Sequence, residues 1–323
     1  VPSSFPPDRP FTAADLPSYD ATRQQLRGLL QCGVVKQLLF GVYVPGTWAD
    51  TPTNRARAAA AVLPDHCVLV DRTAASLHGI DVFDYAELDV PPDVEVASID
   101  GATATRRSGF LGGKRDLLAD EIMTIEGARV TTPIRTACDI ACLRGRRRAI
   151  GVLDAFRARF GITESELSFM LRRFGGRRGV TQLRELIPLS RPDVDSQPES
   201  WIRIDINDEG FPMPESQVWV WLPDGRQVRV ENAFEHLRIA VEYDGEAHHS
   251  SEADRNHDRV RRDALADAGW IIIVVRREGL TDLGRNQWLA ELEAAFVDRA
   301  PHLATKRAYA RSPLTRPRRH RRR

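Results

Sequence analysis

Trp270-Ile-Ile-Ile-Val-Val275 is the segment that most narrows the folds open to this chain. A half-solvated strand alternates apolar with polar residues, so an unbroken apolar run reads as a strand buried on both faces. Such a strand needs a layer above it and another below. Asp254 to Ala268 has helical spacing, with Val260, Ala264, Leu265 and Ala268 assigned to one face and Gly269 as its cap. Gln287 to Asp298 reads as a second flanking helix. Upstream, a helix over Glu199 to Glu209 precedes strands at Gln217 to Leu222, Gln227 to Phe234 and Leu237 to Tyr243, turned at Pro223-Asp-Gly225 and at Glu235-His236. Helix, three antiparallel strands, helix, strand, helix is an α/β order with its sheet in the middle.

The rest of the chain is too long to share one core: 323 residues predict two or three domains. Residues 1–50 read as a winged helix-turn-helix-like domain. Leu26, Leu29 and Leu30 mark a helix over Ala21 to Cys32, Gly33 sits at its C-terminal cap, and two β-rich runs are pinched near Phe40-Gly41 as a wing hairpin. Residues 51–192 predict a mixed α+β middle domain. Helices are expected at Asn54 to Leu63, Arg72 to His78, Pro133 to Leu143, Arg146 to Phe160, Thr163 to Phe174 and Gly179 to Ile187, with strands at Cys67 to Val70 and up to Val130. Arg191 to Pro198 reads as a linker into residues 193–303, and residues 304–323 as a basic disordered tail. The fold class is therefore α/β and multidomain.

An apolar fraction of 42% and a charged fraction of 28% suit a globular protein. No apolar run approaches bilayer length and Val1 to Pro10 lacks a signal-peptide pattern, so a cytoplasmic protein with no membrane partner is expected. The tail from Lys306 to Arg323 carries nine basic residues and no acid. The chain's +1 less that +9 leaves −8 on the other 305 residues. Such a tail is either a counterion-releasing arm for nucleic acid or a solvated end without a role. Cys32, Cys67, Cys138 and Cys142 are scattered and form no disulfide framework; Cys138 and Cys142 read as buried small side chains rather than zinc ligands.

Chemistry concentrates at Glu242-Tyr-Asp-Gly245, where a strand ends, with His248 and His249 just beyond. Alternation puts Arg238, Ala240, Glu242 and Asp244 on one face of that strand. If Glu235-His236 is a tight turn, Glu231 lies opposite Ala240 and diagonal to Glu242, roughly 7–8 Å away. Carboxylates so placed repel, and a divalent cation would relieve them. An oxygen-only donor set suits Mg²⁺ or Mn²⁺ better than zinc. A solvated acidic sheet face fits the same spacing. His248 and His249 are candidate proton carriers or inert loop residues, while His236, His257 and His78 read as ordinary turn and helix residues.

Glu199-Ser200, Arg229-Val-Glu231, Val241-Glu-Tyr-Asp-Gly245, His248-His249, Asp258, Arg262-Asp263, Leu265, Gly269-Trp270 and Val275-Arg276, taken in order, resemble the PD-(D/E)XK nuclease superfamily, in particular the branch similar to very-short-patch-repair endonucleases. The resemblance covers about a third of the chain and implies a restriction-endonuclease-like domain with a central mixed sheet flanked by helices. Gly41-Val-Tyr-Val44, Ala74-Ala-Ser-Leu-His-Gly79 and Thr131-Thr-Pro-Ile-Arg-Thr136 resemble AbiEi-type antitoxins, which implies a winged-helix N-terminal region and an AbiEi-like middle domain. From the nuclease resemblance, Glu231 stands at the first metal position and Glu242 at the second. Asp244 occupies the place of the motif lysine, Glu199 matches a helix glutamate near such sites, and His248 or His249 would handle protons. Glutamate for aspartate at 231 departs from the motif; the missing lysine is shared by the repair-endonuclease branch.

Three functions follow. In the first, a Mg²⁺-dependent (or Mn²⁺-dependent) DNA endonuclease holds its ion between Glu231 and Glu242, with Arg262 or Arg276 steadying a phosphate. In the second, the protein is a non-catalytic DNA-binding regulator or antitoxin on a nuclease fold that has lost activity, and the change at 231 favours it. In the third, the nuclease-like domain mainly recognises another protein. DNA is the expected partner, a toxin or repair protein a further one; the sequence does not speak to oligomeric state.

Overall fold

The computed structural model describes residues 5–82, 90, 92–245 and 252–300. The chain divides into two units. The first holds the residues to Leu143 together with Ser165–Val180; the second holds Arg144–Glu164 and the chain from Thr181. His248, His249 and the basic tail lie outside the described residues. Among the described residues no helix is long and apolar enough to cross a membrane.

The first unit begins with β1 (Phe11–Thr12), helix α1 (Arg23–Gln31), β2 (Val35–Leu39) and β3 (Val42–Pro45). The three strands form an antiparallel sheet in the order β1-β3-β2. A 3-10 turn, Leu16–Tyr19, precedes α1, with Pro17 in its first turn and Asp20 in the left-handed region behind it. Thr22 caps α1 through a reciprocal pair with Gln25, and Gly33 ends it at φ +73°. Next come α2 (Pro52–Ala59), β4 (Cys67–Leu69), α3 (Asp71–Leu77), β5 (Val94–Ser98), β6 (Phe110–Lys114), β7 (Ile122–Ile125), β8 (Ala128–Thr131) and α4 (Pro133–Leu143). Helix α2 starts and ends earlier than the alanine run suggests, because Thr51 caps it ahead of Pro52. The larger sheet runs β6-β5-β4-β8-β7, and Leu69, Val96 and Val130 pack with Val42 and Val44 of the hairpin in one core.

The second unit carries α5 (Arg146–Phe160); α6 (Glu164–Met170) straddles the division, and α7 (Val180–Leu186) follows. Then come α8 (Gln197–Asp208), β9 (Glu215–Trp221), β10 (Gln227–Phe234), β11 (Ile239–Asp244), α9 (Glu252–Asp267), β12 (Ile271–Arg276) and α10 (Asp282–Arg299). The sheet order is β12-β11-β10-β9, with β12 parallel to β11 and the other pairs antiparallel. The parallel pair follows from the α9 crossover, which returns the chain to the same end of the sheet. Ile239, Val241, Ile273 and Val275 pack against α8 and α10 through Ile202, Ile206, Trp288 and Leu292. Ala233, Ala240 and Trp270 pack against Leu265 of α9. The two-sided layering expected around Trp270 to Val275 is present.

Two expectations change. The connection between β10 and β11 is not a two-residue turn but a 3-10 turn, Glu235–Leu237, closed by Arg238 at φ +50°. The ladder therefore pairs Asn232 with Val241 and Ala233 with Ala240, two residues from the expected register. A shift of two keeps each side chain on its face, and the ladder's last pair is Asn232 with Val241, with Glu231 and Glu242 the next residues beyond it. The second change concerns Val260, which is exposed, while Arg261 at i−4 from Leu265 takes the sheet-facing position.

Candidate functional site

Helix α8 starts at Ser196, whose hydroxyl caps it, and this places Glu199 in the first turn, buried beside β9 and β10. Glu199 accepts a hydrogen bond from the side-chain amide of Gln217, a β9 residue at φ +55°. Glu231 on β10 accepts the backbone N–H of Tyr243 at 2.6 Å. Burial, the Glu199 charge and the Glu242 charge together push the Glu231 carboxyl up to about 8. Burial also raises the Glu199 carboxyl. Glu199, Glu231 and Glu242, which the sequence picks out from three separate segments, are thus neighbours in one electrostatic field.

Glu242 is 2% exposed, and both of its oxygens are taken by Arg261: Nη1 donates to Oε1 at 2.9 Å and Nη2 to Oε2 at 2.6 Å. Nη1 also donates to the Arg229 carbonyl at 3.2 Å, so the guanidinium spans β10 and β11. Asp244 is paired as well, to Arg262 Nη2 at 3.2 Å and to Arg276 Nε at 3.7 Å. The two arginines that the sequence offers as phosphate contacts therefore sit on one carboxylate. Arg261 is the member that sequence reasoning misses. Its only sequence signal is the i−4 spacing to Leu265.

A shared divalent ion would need free oxygens of Glu231 and Glu242 about 2.0–2.2 Å from a common centre. As arranged, each Glu242 oxygen accepts one hydrogen bond from Arg261 and one Glu231 oxygen accepts an amide hydrogen. Among the described residues no three of His, Cys, Asp and Glu converge to hold a metal. A cation at Glu242 would therefore compete with the Arg261 guanidinium.

A second feature lies in the first unit. On α1, Leu26 is buried against Phe11, Leu16 and Val35, and Arg23, Gln24, Gln25, Arg27 and Gln31 are exposed. That face has guanidinium and amide donors and no acid, the groups that meet phosphates and base edges. At the hairpin tip Phe40 is exposed, and its carbonyl accepts Arg107 Nη2 at 2.6 Å. The antitoxin-like motifs meet elsewhere. His78 is the C-cap of α3, as its place before Gly79 suggests, and it is buried with Nε2 2.7 Å from the Thr131 carbonyl. Arg135, fully buried, bridges Glu121 and Asp139.

Residues 66–189 match the family model of the AbiEi antitoxin C-terminal domain. Two Mycobacterium tuberculosis proteins, uncharacterized protein MT2308 of strain CDC 1551 / Oshkosh and uncharacterized protein Rv2248 of strain H37Rv, are each 30% identical to this chain over 283 residues, covering 86% of it and 98% of the relative.

Proposed function

The chain belongs to the family of these two mycobacterial proteins, and from that premise we propose that it is a DNA-binding regulator of the toxin–antitoxin type. The match of residues 66–189 to an antitoxin domain carries the reading. The acid-free exposed face of α1 beside the β2–β3 hairpin supports it, since a helix with such a face and a wing suit duplex DNA. A second macromolecular partner, a toxin, goes with the antitoxin-domain match.

The test is a binding isotherm on duplex DNA at several salt concentrations. The wild type is expected to bind with strong salt dependence. Arg23→Ala with Arg27→Ala is expected to weaken affinity at least tenfold and to flatten the salt slope by roughly two, about 0.9 for each phosphate that is no longer neutralised. An unchanged slope in the double variant would remove α1 from the interface.

One observation favours the nuclease reading: Glu199, Glu231 and Glu242 gather as neighbours in a helix-flanked mixed sheet. On that reading Mg²⁺ or Mn²⁺ supports nicking of plasmid DNA, and Glu242→Gln abolishes it. The regulator reading expects no nicking by wild type in either metal, and a Glu242-dependent nick would overturn that expectation.

A further inference from the structure

We propose that Arg261 is the built-in cation of the second unit's acidic site, standing at Glu242 where a nuclease of this architecture would hold a divalent ion. The geometry leaves little room for both. The guanidinium meets the two carboxylate oxygens side by side, at 2.9 and 2.6 Å, the fork arrangement in which arginine binds a carboxylate most firmly. Its third contact, to the Arg229 carbonyl, fixes it to the neighbouring strand. Helix α9 enforces the position, because Leu265, one turn further on, is fully buried against Ala240 and Trp270. A metal at Glu242 would have to displace two hydrogen bonds at its oxygens and then sit beside a positive charge.

Glu242 has reason to keep a partner. At 2% exposure an unpaired carboxylate would lose its hydration with nothing in return. Arginine suits the place better than lysine, since its planar fork matches both oxygens and does not deprotonate. The arrangement deepens the regulator reading and rests on it for one point, that the second unit does not cleave. It explains how a nuclease-like sheet keeps its buried acid without a metal.

The experiment follows Mn²⁺ uptake by the full chain, read as loss of the free-ion electron paramagnetic resonance signal, with duplex binding measured on the same samples. Wild type and Glu242→Gln are expected to take up Mn²⁺ equally, and wild type to melt at the same temperature in Mn²⁺ and in EDTA. Arg261→Met is expected to gain a site at least tenfold tighter than any in wild type, lost again in Arg261→Met with Glu242→Gln. One Mn²⁺ bound by wild type and lost in Glu242→Gln overturns the proposal. So does a folded Arg261→Met that gains no site, because the arginine would then be standing in for nothing. Should Arg261→Met not fold, the comparison of wild type with Glu242→Gln still decides. Failure of wild type to bind DNA would overturn the regulator reading and leave the Mn²⁺ result standing.

Discussion

Arg135→Met is expected to cost the first unit about 3 kcal/mol, the lower end of what removing one partner of a buried ion pair costs. Arg135 has no exposed surface; its Nε donates to Asp139 at 2.8 Å and its Nη1 to Glu121 at 2.7 Å. The guanidinium also lies 5.1 Å from the centroid of the Phe174 ring. Methionine fills similar space but leaves two buried carboxylates short of a counter-charge. The lower end applies because both acids keep a second cation, Arg115 at Asp139 and Arg173 at Glu121. Hydrogen exchange of the β4 and β8 amides reads the loss, since those strands lie in this unit's core. Adding Glu121→Gln and Asp139→Asn to Arg135→Met should recover most of the stability. If the triple variant is no better than the single one, lost packing and not unpaired charge is the cause.

Arg135 also shows where sequence reasoning stops. Thr131 to Thr136 is legible as a motif, and the helix Pro133–Leu143 is readable to the residue, because a proline at its start and apolar periodicity are local signals. That Arg135 is an interior ion depends on Glu121, fourteen residues away, and on Phe174, neither of which carries a local sign. The same division runs through the second unit. An unbroken apolar run is readable, as is β10, with its bounds Gln227–Phe234. The register against β11 is not, because it depends on a left-handed Arg238, and arginine is no usual marker of that conformation. The Glu242 charge still acts on Glu231, since an error of two residues preserves the face.

Arg261 is hidden for a different reason. The stretch Asp258-Arg-Val-Arg-Arg-Asp263 offers three arginines and one valine, and binary patterning turns the valine inward. The fold turns Arg261 inward instead, because a buried acid on β11 lies within its reach. Patterning from apolar residues alone fails where the interior carries a charge of its own.

The last expectation concerns the other carboxylate of that pair. Glu231→Gln should remove a pH dependence that wild type shows between about pH 4.5 and pH 8. The folded-state value is raised, to about 8 against an ordinary 4.5, by burial first and by Glu199 next. An acid raised in the folded state contributes stability that is fully present below its unfolded value. Between the two values the folded protein holds a proton that the unfolded chain has released, so stability falls as pH rises and the contribution is gone above the folded value. At about 1.4 kcal/mol for each pH unit that separates the folded from the unfolded value, the swing amounts to a few kcal/mol. Glutamine keeps an oxygen to accept the Tyr243 N–H and carries no charge at any pH. Urea midpoints of wild type and Glu231→Gln from pH 5 to 9 should therefore diverge as pH rises, with the variant the more stable at pH 8.5. Subtracting the variant removes the contributions of Asp139, Asp154 and Asp205, which are raised by burial as well. Parallel curves for the two proteins would mean that Glu231 is ionised in the folded state at neutral pH. Diverging curves would mean that the proton on Glu231 and the guanidinium on Glu242 together neutralise the pair from within the chain.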